Sequence, residues 1–169
     1  IQADFTDDNS FLSFIKYIST INFDVCINNA GINIVKPLDS IDYLDYSNLM
    51  KVNSEAPFFI SQVVSKNMKK VQHGKIINIA SIWSVISKEQ RSLYTSSKHS
   101  LVGLTKCLSV ELAKDNVLVN CVSPGFTNTE LTKKSLSEKE SLLLADKVPL
   151  NRFAETHEIA NLILFLSSD

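Results

Sequence analysis

Cysteine is scarce in this sequence. Cys26, Cys107 and Cys121 are odd in number and far apart, and no Cys-x-x-Cys occurs. That excludes a disulfide framework and the usual structural zinc pattern. Each sits in an apolar strand or helix pattern and reads as a small buried hydrophobe in a reducing, cytoplasmic compartment. His73, His99 and His157 have no ligand spacing, so no metal is expected. Excess positive charge is also missing. The net charge is −1, the pI is near 6.3, and the lysines are scattered. Nucleic acid is therefore not an expected partner, because it needs a basic stripe. Long apolar runs are absent too: the longest, residues 159–166, is interrupted by Asn161 and is far short of a membrane span. The first eight residues lack the basic-then-apolar order of a signal peptide. No repeat, low-complexity tract or interdomain linker is seen. What remains, 44% hydrophobic and 21% charged over 169 residues, suits one soluble globular domain. A domain of that size buries about two-thirds of its unfolded surface.

The elements alternate. Asp7-Asp8-Asn9-Ser10 is a helix start, followed by Phe11, Leu12, Phe14, Ile15 and Ile18 at helical spacing. Strands are predicted at residues 24–28, 75–80 and 117–122, and helices at 43–70, 92–113 and 156–166. Residues 129–147 read as a polar helical excursion. Pro57 is expected to kink the long helical region or to start a second helix. Strands alternating with helices imply βαβ units and a parallel sheet. The apolar, β-branched strands suit a sheet covered on both faces.

Chemistry concentrates in three places. Tyr94 and Lys98 are four apart and share a helix face. There an ammonium can lower the phenol pKa and make tyrosine a proton donor or acceptor near neutral pH. Ser81, thirteen positions before Tyr94, ends the apolar segment Gly74-Lys-Ile-Ile-Asn-Ile-Ala-Ser81. Strand ends in open α/β sheets are where ligands bind. Asp24-Val-Cys-Ile-Asn28-Asn29-Ala30-Gly31 is a short strand entering a tight turn. Val119-Asn-Cys-Val-Ser-Pro124-Gly125-Phe-Thr127-Asn-Thr129 is another strand, ending in a Pro-Gly turn with hydroxyls beyond.

With these segments in order, the chain resembles the short-chain dehydrogenase/reductase family, and in particular its 3-oxoacyl-carrier-protein reductase-like members. The marks are Asn28-Asn29-Ala30-Gly31, Lys51-Val52-Asn53, Ser81, Tyr94-x-x-x-Lys98 and Pro124-Gly125-x-x-x-Thr129. The resemblance implies a Rossmann-type, doubly wound parallel sheet in three α/β/α layers. It implies an NAD(P)-dependent oxidoreductase for a ketone or secondary alcohol, with NAD and NADP undistinguished.

By the same resemblance Tyr94 is the general acid/base. Lys98 lowers its pKa and holds the ribose hydroxyls. Ser81 hydrogen-bonds the carbonyl oxygen, and Asn53 holds a water that links Lys98 to a proton relay. Asn28, Ala30 and Gly31 are expected beside the cofactor ribose, and Asp4 at the adenine amino group. Pro124, Gly125, Thr127 and Thr129 are expected at the carboxamide and pyrophosphate. Trp83 and Arg91, near Ser81 and Tyr94, suggest a polar or anionic substrate, such as an acyl-carrier thioester arm or a sugar acid. Subunits of the family usually pair through the helices at 43–70 and 92–113, so a homodimer or homotetramer is expected.

Glycine is also sparse. The four glycines form no cluster, whereas a dinucleotide-binding fold opens on a glycine-rich turn. Against the family, the chain begins at the end of the third strand and stops before the last, as a portion of a longer enzyme would. The alternatives are a catalytically inactive fragment kept for dimerisation or ligand sensing, and an epimerase or dehydratase of the extended relatives.

Overall fold

Helix α1 (Asp8–Ile18) begins where the carboxylate of Asp7 accepts the Ser10 amide at 2.7 Å, and it buries Phe11 and Ile18. Such a cap satisfies an amide that the helix itself cannot. The protein is described by a computed structural model over residues 1–130, 132 and 136–168. By proximity of Cα atoms it divides into two compact units, Ile1–Ser123 and Pro124–Asp169.

The first unit continues with β1 (Val25–Asn28), α2 (Tyr43–Met50), α3 (Ala56–Val71), β2 (Gly74–Ile79), α4 (Ser92–Glu111) and β3 (Val117–Val122). The three strands form a parallel sheet in the order β1-β2-β3. Its register places Asn28 beside Asn78 and Asn78 beside Cys121. Side chains alternate across a sheet, so these three point to one face, together with Ile76. Helices α3 and α4 cover that face. Val64 and Met68 of α3 pack with Ile76, Leu112, Val117 and Val119 in the core. On the opposite face Ile27 and Leu118 are 46% and 51% exposed. A parallel sheet with helical crossovers is the Rossmann-type α/β arrangement that the alternation predicts.

The long helical region is interrupted, and Pro57 stands at the start of its second helix, one of the two outcomes expected of it. Between α2 and α3, residues Lys51–Glu55 form one π-helical turn, in which the Ala56 amide reaches back to the Lys51 carbonyl. Pro57 sits in the first turn of α3, where its missing N–H costs nothing. The cysteine expectation needs correction: Cys107 is exposed on α4, while Cys26 and Cys121 are half-buried in strands. Burial pushes the Cys26 thiol up to about 11.

The second unit contains α5 (Glu138–Ala145) and α6 (Thr156–Ser167). A single parallel bridge joins Thr127 to Ala154. Phe126 stacks on Phe153 at 5.2 Å between ring centroids. Arg152 binds both carboxylate oxygens of Glu158, at 2.7 and 2.8 Å. Part of the expected excursion at 129–147, namely Leu131 and residues 133–135, lies outside the described residues.

Gly74 opens β2 against fully buried Met68. A Cβ at Gly74 would stand 2.4 to 2.7 Å from three Met68 side-chain atoms. Gly74→Ala is expected to cost about 1–3 kcal/mol of stability, read by urea unfolding, because a packed core resists added atoms. An unchanged midpoint would mean that Met68 moves aside freely.

Candidate active site

The site is built at the C-terminal ends of the strands from four short pieces. The first is the turn after β1. Asn28, at the end of that strand, donates to Asn78 Oδ1 at 2.8 Å and to Ser61 Oγ at 3.1 Å. Asn78 donates in turn to Thr105 Oγ1 at 2.9 Å. This buried chain of amides and hydroxyls ties β1 to β2, α3 and α4, and each of its side chains has a partner, as burial requires. Asn29, Ala30 and Gly31 then leave the strand on the surface.

The second piece is the π turn. Asn53 is fully buried. Its Oδ1 accepts the Ile32 amide at 2.9 Å, while its Nδ2 donates to the Ile32 carbonyl at 2.9 Å and to Ser97 Oγ at 3.1 Å. The side chain thus pairs with the loop backbone as a neighbouring strand would. It draws the loop in until a Cβ built on Gly31 would lie 3.5 Å from both Asn53 Oδ1 and Lys98 Nζ. A π turn rotates the residues that follow it, a device often found at functional sites.

The third piece follows β2. The Ala80 amide donates to the Val122 carbonyl at 2.8 Å, which holds the strand end. Ser81 then starts the 3₁₀ turn Ile82–Ser84, and its hydroxyl accepts the Trp83 amide at 3.3 Å. Ser84 Oγ donates to the Ser81 carbonyl at 2.6 Å, which fixes this corner.

The fourth piece is the first two turns of α4. Lys98 Nζ lies 5.7 Å from the Tyr94 ring centroid and donates to the Ile79 carbonyl at 2.8 Å. An ammonium has three donors, so two remain for an acceptor in the site. Burial pushes Lys98 down to about 8, and the nearby Cys121 opposes this slightly. Burial raises the Tyr94 phenol above its ordinary value, while a hydrogen bond with Ser81 and the charge of Arg91 pull it back. The downward pull on Tyr94 thus comes from Ser81 and Arg91. The expectation from spacing assigned it to Lys98, whose ammonium instead points to the Ile79 carbonyl.

Asn53, Ser81, Tyr94, Lys98 and Gly31 therefore come together, with Trp83 and Arg91 beside them. Asp4 has a different local role. Its carboxylate accepts from the Thr6 amide at 2.8 Å and from the Thr6 hydroxyl at 2.7 Å, closing the turn before α1. In the second unit, Thr127 Oγ1 donates to the Gly125 carbonyl at 3.2 Å, and Thr129 Oγ1 accepts the Thr132 amide at 3.1 Å. Pro124 is half-buried. Sequence reasoning missed Ser61, Asn78, Ser97 and Thr105. The available signal was Asn78 itself, a polar residue inside the run Ile76-Ile77-Asn78-Ile79, which demands partners.

A family model described as short chain dehydrogenase matches residues 1–140. The chain belongs to this family. A 3-oxoacyl-[acyl-carrier-protein] reductase of Aquifex aeolicus is 38% identical over 146 residues, covering 86% of this chain and 58% of that protein. The chain thus spans less than two-thirds of that relative. A solved 4-hydroxyisoleucine dehydrogenase complexed with NADH is 31% identical, with a TM-score of 0.93 over all of this chain and 71% of that one. A gluconate 5-dehydrogenase from Burkholderia cenocepacia, in complex with NADP and tartrate, is 29% identical, with a TM-score of 0.89 over 98% of this chain and 66% of that one. These matches show dehydrogenase-family membership and the Rossmann-type, doubly wound fold.

Lys98 yields a pH signature. Below about pH 8 the folded protein carries its buried charge, and the unfolded chain carries it too. From about 8 to 10.5 the unfolded chain still holds the proton that the folded one has released. More protons on the unfolded state means that stability rises with pH across this window. The stability gap between Lys98→Met and wild type should therefore shift by about 2 kcal/mol, against the variant, from pH 7 to pH 10 in urea unfolding. A gap independent of pH would show an ordinary lysine.

Proposed function

We propose that the full-length protein is an NAD(P)-dependent oxidoreductase that interconverts a ketone and a secondary alcohol. The observation that carries this reading is that the buried Lys98 ammonium, bonded to the Ile79 carbonyl two residues before Ser81, lies 5.7 Å from the Tyr94 ring. When bound, the nicotinamide supplies hydride in reduction and accepts it in oxidation. Ser81 offers its hydrogen to the substrate oxygen, where negative charge builds up as the carbonyl is reduced. Tyr94 gives that oxygen its proton, and takes it back when an alcohol is oxidised. A phenol kept neutral by burial suits the donor role.

The residues fit a ribose-bearing cofactor. Lys98 has two free donors, and Gly31 leaves room for close approach beside it. Lys98 then holds ribose hydroxyls, with Asn28, Ala30 and Gly31 along the ribose. Asn53 holds the loop and, as the family resemblance suggests, a water of the proton relay. On the same resemblance Pro124, Gly125, Thr127 and Thr129 serve the carboxamide and pyrophosphate, and Asp4 the adenine. Residues 1–169 then belong to one NAD(P)-binding domain, and either NAD or NADP suits it. The neighbour named a gluconate 5-dehydrogenase, in complex with tartrate, supports a sugar-acid type of substrate alongside the acyl-carrier thioester of the reductase relatives.

In the full-length protein, Tyr94→Phe should lower kcat/KM by about 10²–10⁴-fold, the usual share of a general acid/base, while leaving cofactor affinity unchanged. Steady-state kinetics with a turned-over substrate and a cofactor titration measure both. Wild-type turnover in the variant would reject the assignment.

We also propose a homodimer or homotetramer. Phe58 and Phe59 of α3 are 48% and 39% exposed, and they line an apolar groove with Met50 and with Leu104 of α4. Ser54 and Ser100 share a hydrogen bond of 2.8 Å on its floor. Leu101 is buried and belongs to the core. A second copy placing the same helices there would cover these rings. Light scattering at micromolar concentration should give a dimer or larger, and Phe58→Asp should shift it towards monomer. Monomer alone for the wild type would end this proposal.

A further inference from the structure

Arg91 precedes α4 as its N-cap residue, three positions before Tyr94, so the two side chains rise on the same side of the helix start. Its guanidinium carbon lies 5.6 Å from the centroid of the Trp83 ring. Trp83 is held by the Ser81 corner through its own amide. The guanidinium thus lies against a ring that the Ser81 corner holds. Its charge acts on Tyr94, and burial disfavours the charged form.

The group is otherwise uncommitted. The ion pairs among the described residues are Lys36–Asp45, Lys51–Asp8 and Arg152–Glu158, and none includes Arg91. Its side chain makes no hydrogen bond among the described residues. A guanidinium has five N–H donors, all in its plane. The cation–π contact with Trp83 engages none of these N–H donors, so they remain for a planar two-oxygen acceptor. A half-buried cation without an acceptor is costly to keep, and an anion delivered with the substrate removes the cost. The stack also holds the long side chain in place before the ligand arrives, which reduces the ordering cost of binding.

We propose that Arg91, stacked on Trp83, sets specificity for a substrate carrying a carboxylate: an oxo acid in reduction, a hydroxy acid in oxidation. This rests on the reading of Ser81 and Tyr94 as an oxidoreductase site. One guanidinium balances one carboxylate. A phosphomonoester carries close to two charges at pH 7, more than one guanidinium offsets. A carboxylate is therefore the matching anion.

The test uses the full-length protein and two readouts. The first is binding. Trp83 is the only tryptophan in this chain and forms the stack itself, so its fluorescence senses an anion at Arg91. Succinate, its dimethyl ester and inorganic phosphate are titrated in turn into protein with saturating cofactor, and Trp83→Phe identifies the signal. Succinate should give a saturable change, and Arg91→Ala and Arg91→Gln should both weaken it by about 10- to 100-fold, as for loss of a charge-assisted hydrogen bond. Arg91→Gln keeps the stem on the ring, so it separates charge from packing. Arg91→Lys should recover only part of the affinity, because it lacks the planar fork. Equal binding of the diester, tighter binding of phosphate, or unchanged succinate affinity in both neutral variants would each overturn the proposal.

The second readout is turnover of 3-oxobutanoate against its methyl ester. Arg91→Gln should raise KM for the acid by a similar factor, about 10- to 100-fold, and leave KM for the ester nearly unchanged, while any change in kcat, through the lost charge beside Tyr94, should be the same for acid and ester. Equal losses on acid and ester would assign Arg91 a structural role. If neither compound is turned over while succinate still binds through Arg91, the oxidoreductase reading fails and the anion site stands. If turnover is normal and blind to Arg91, the reverse holds.

Discussion

Lys98 is 4% exposed, yet its ammonium keeps a 2.8 Å bond to the Ile79 carbonyl. The other features of the site follow from that burial. A cation taken out of water must be met by oriented acceptors or lose its proton. The end of β2 supplies one acceptor, and the downward push on the lysine measures how incompletely the protein alone repays the loss of water. Tyr94, one turn earlier on α4, is pressed into the same dry region and is held neutral by it. Ser81 and Arg91 temper that effect from the opposite side. The pair is thus tuned by where the sheet ends and how closely α4 lies against it.

That placement is secured by polar groups that do no chemistry themselves. The Asn28–Asn78–Thr105 chain, with Ser61 on its flank, links β1 and β2 to α3 and α4 beneath the site. Asn53 does the same for the loop after β1 through its double contact with Ile32. A buried network of this kind raises the cost of any alternative packing, since each broken bond leaves a partner unsatisfied. The π turn at Lys51–Glu55 belongs to the same logic. It points Asn53 inward from a helix whose regular period would carry it elsewhere.

Parts of this were legible in the residues alone. Strand β3 runs over the predicted residues, because Val117, Val119 and Val122 carry an unmistakable β-branched signal. Helix α1 starts at its predicted cap, since Asp7 has a local role that needs no tertiary information. Ser81, Tyr94 and Lys98 were recognisable from spacing and resemblance. Pro57 marks the start of the second helix, as its fixed backbone angle allows, but the π turn before it leaves no mark in hydrophobic periodicity. Cys107 was read as buried because a cysteine among apolar helix residues looks internal; which face of α4 meets the sheet is decided by packing. The stack of Arg91 on Trp83 spans a loop, and no periodic signal records a contact of that kind.

The central claim is that the buried Lys98 ammonium, left with two spare donors, is there to hold a nicotinamide cofactor. The most direct measurement is the affinity of the full-length protein for NADH and NADPH, read by nicotinamide fluorescence, in wild type and Lys98→Met. The account predicts saturable binding of at least one of the two by the wild type, and weakening by at least about tenfold in the variant, the size of one charge-assisted contact. Equal affinity in both proteins, or no binding of either cofactor by the wild type, would contradict it.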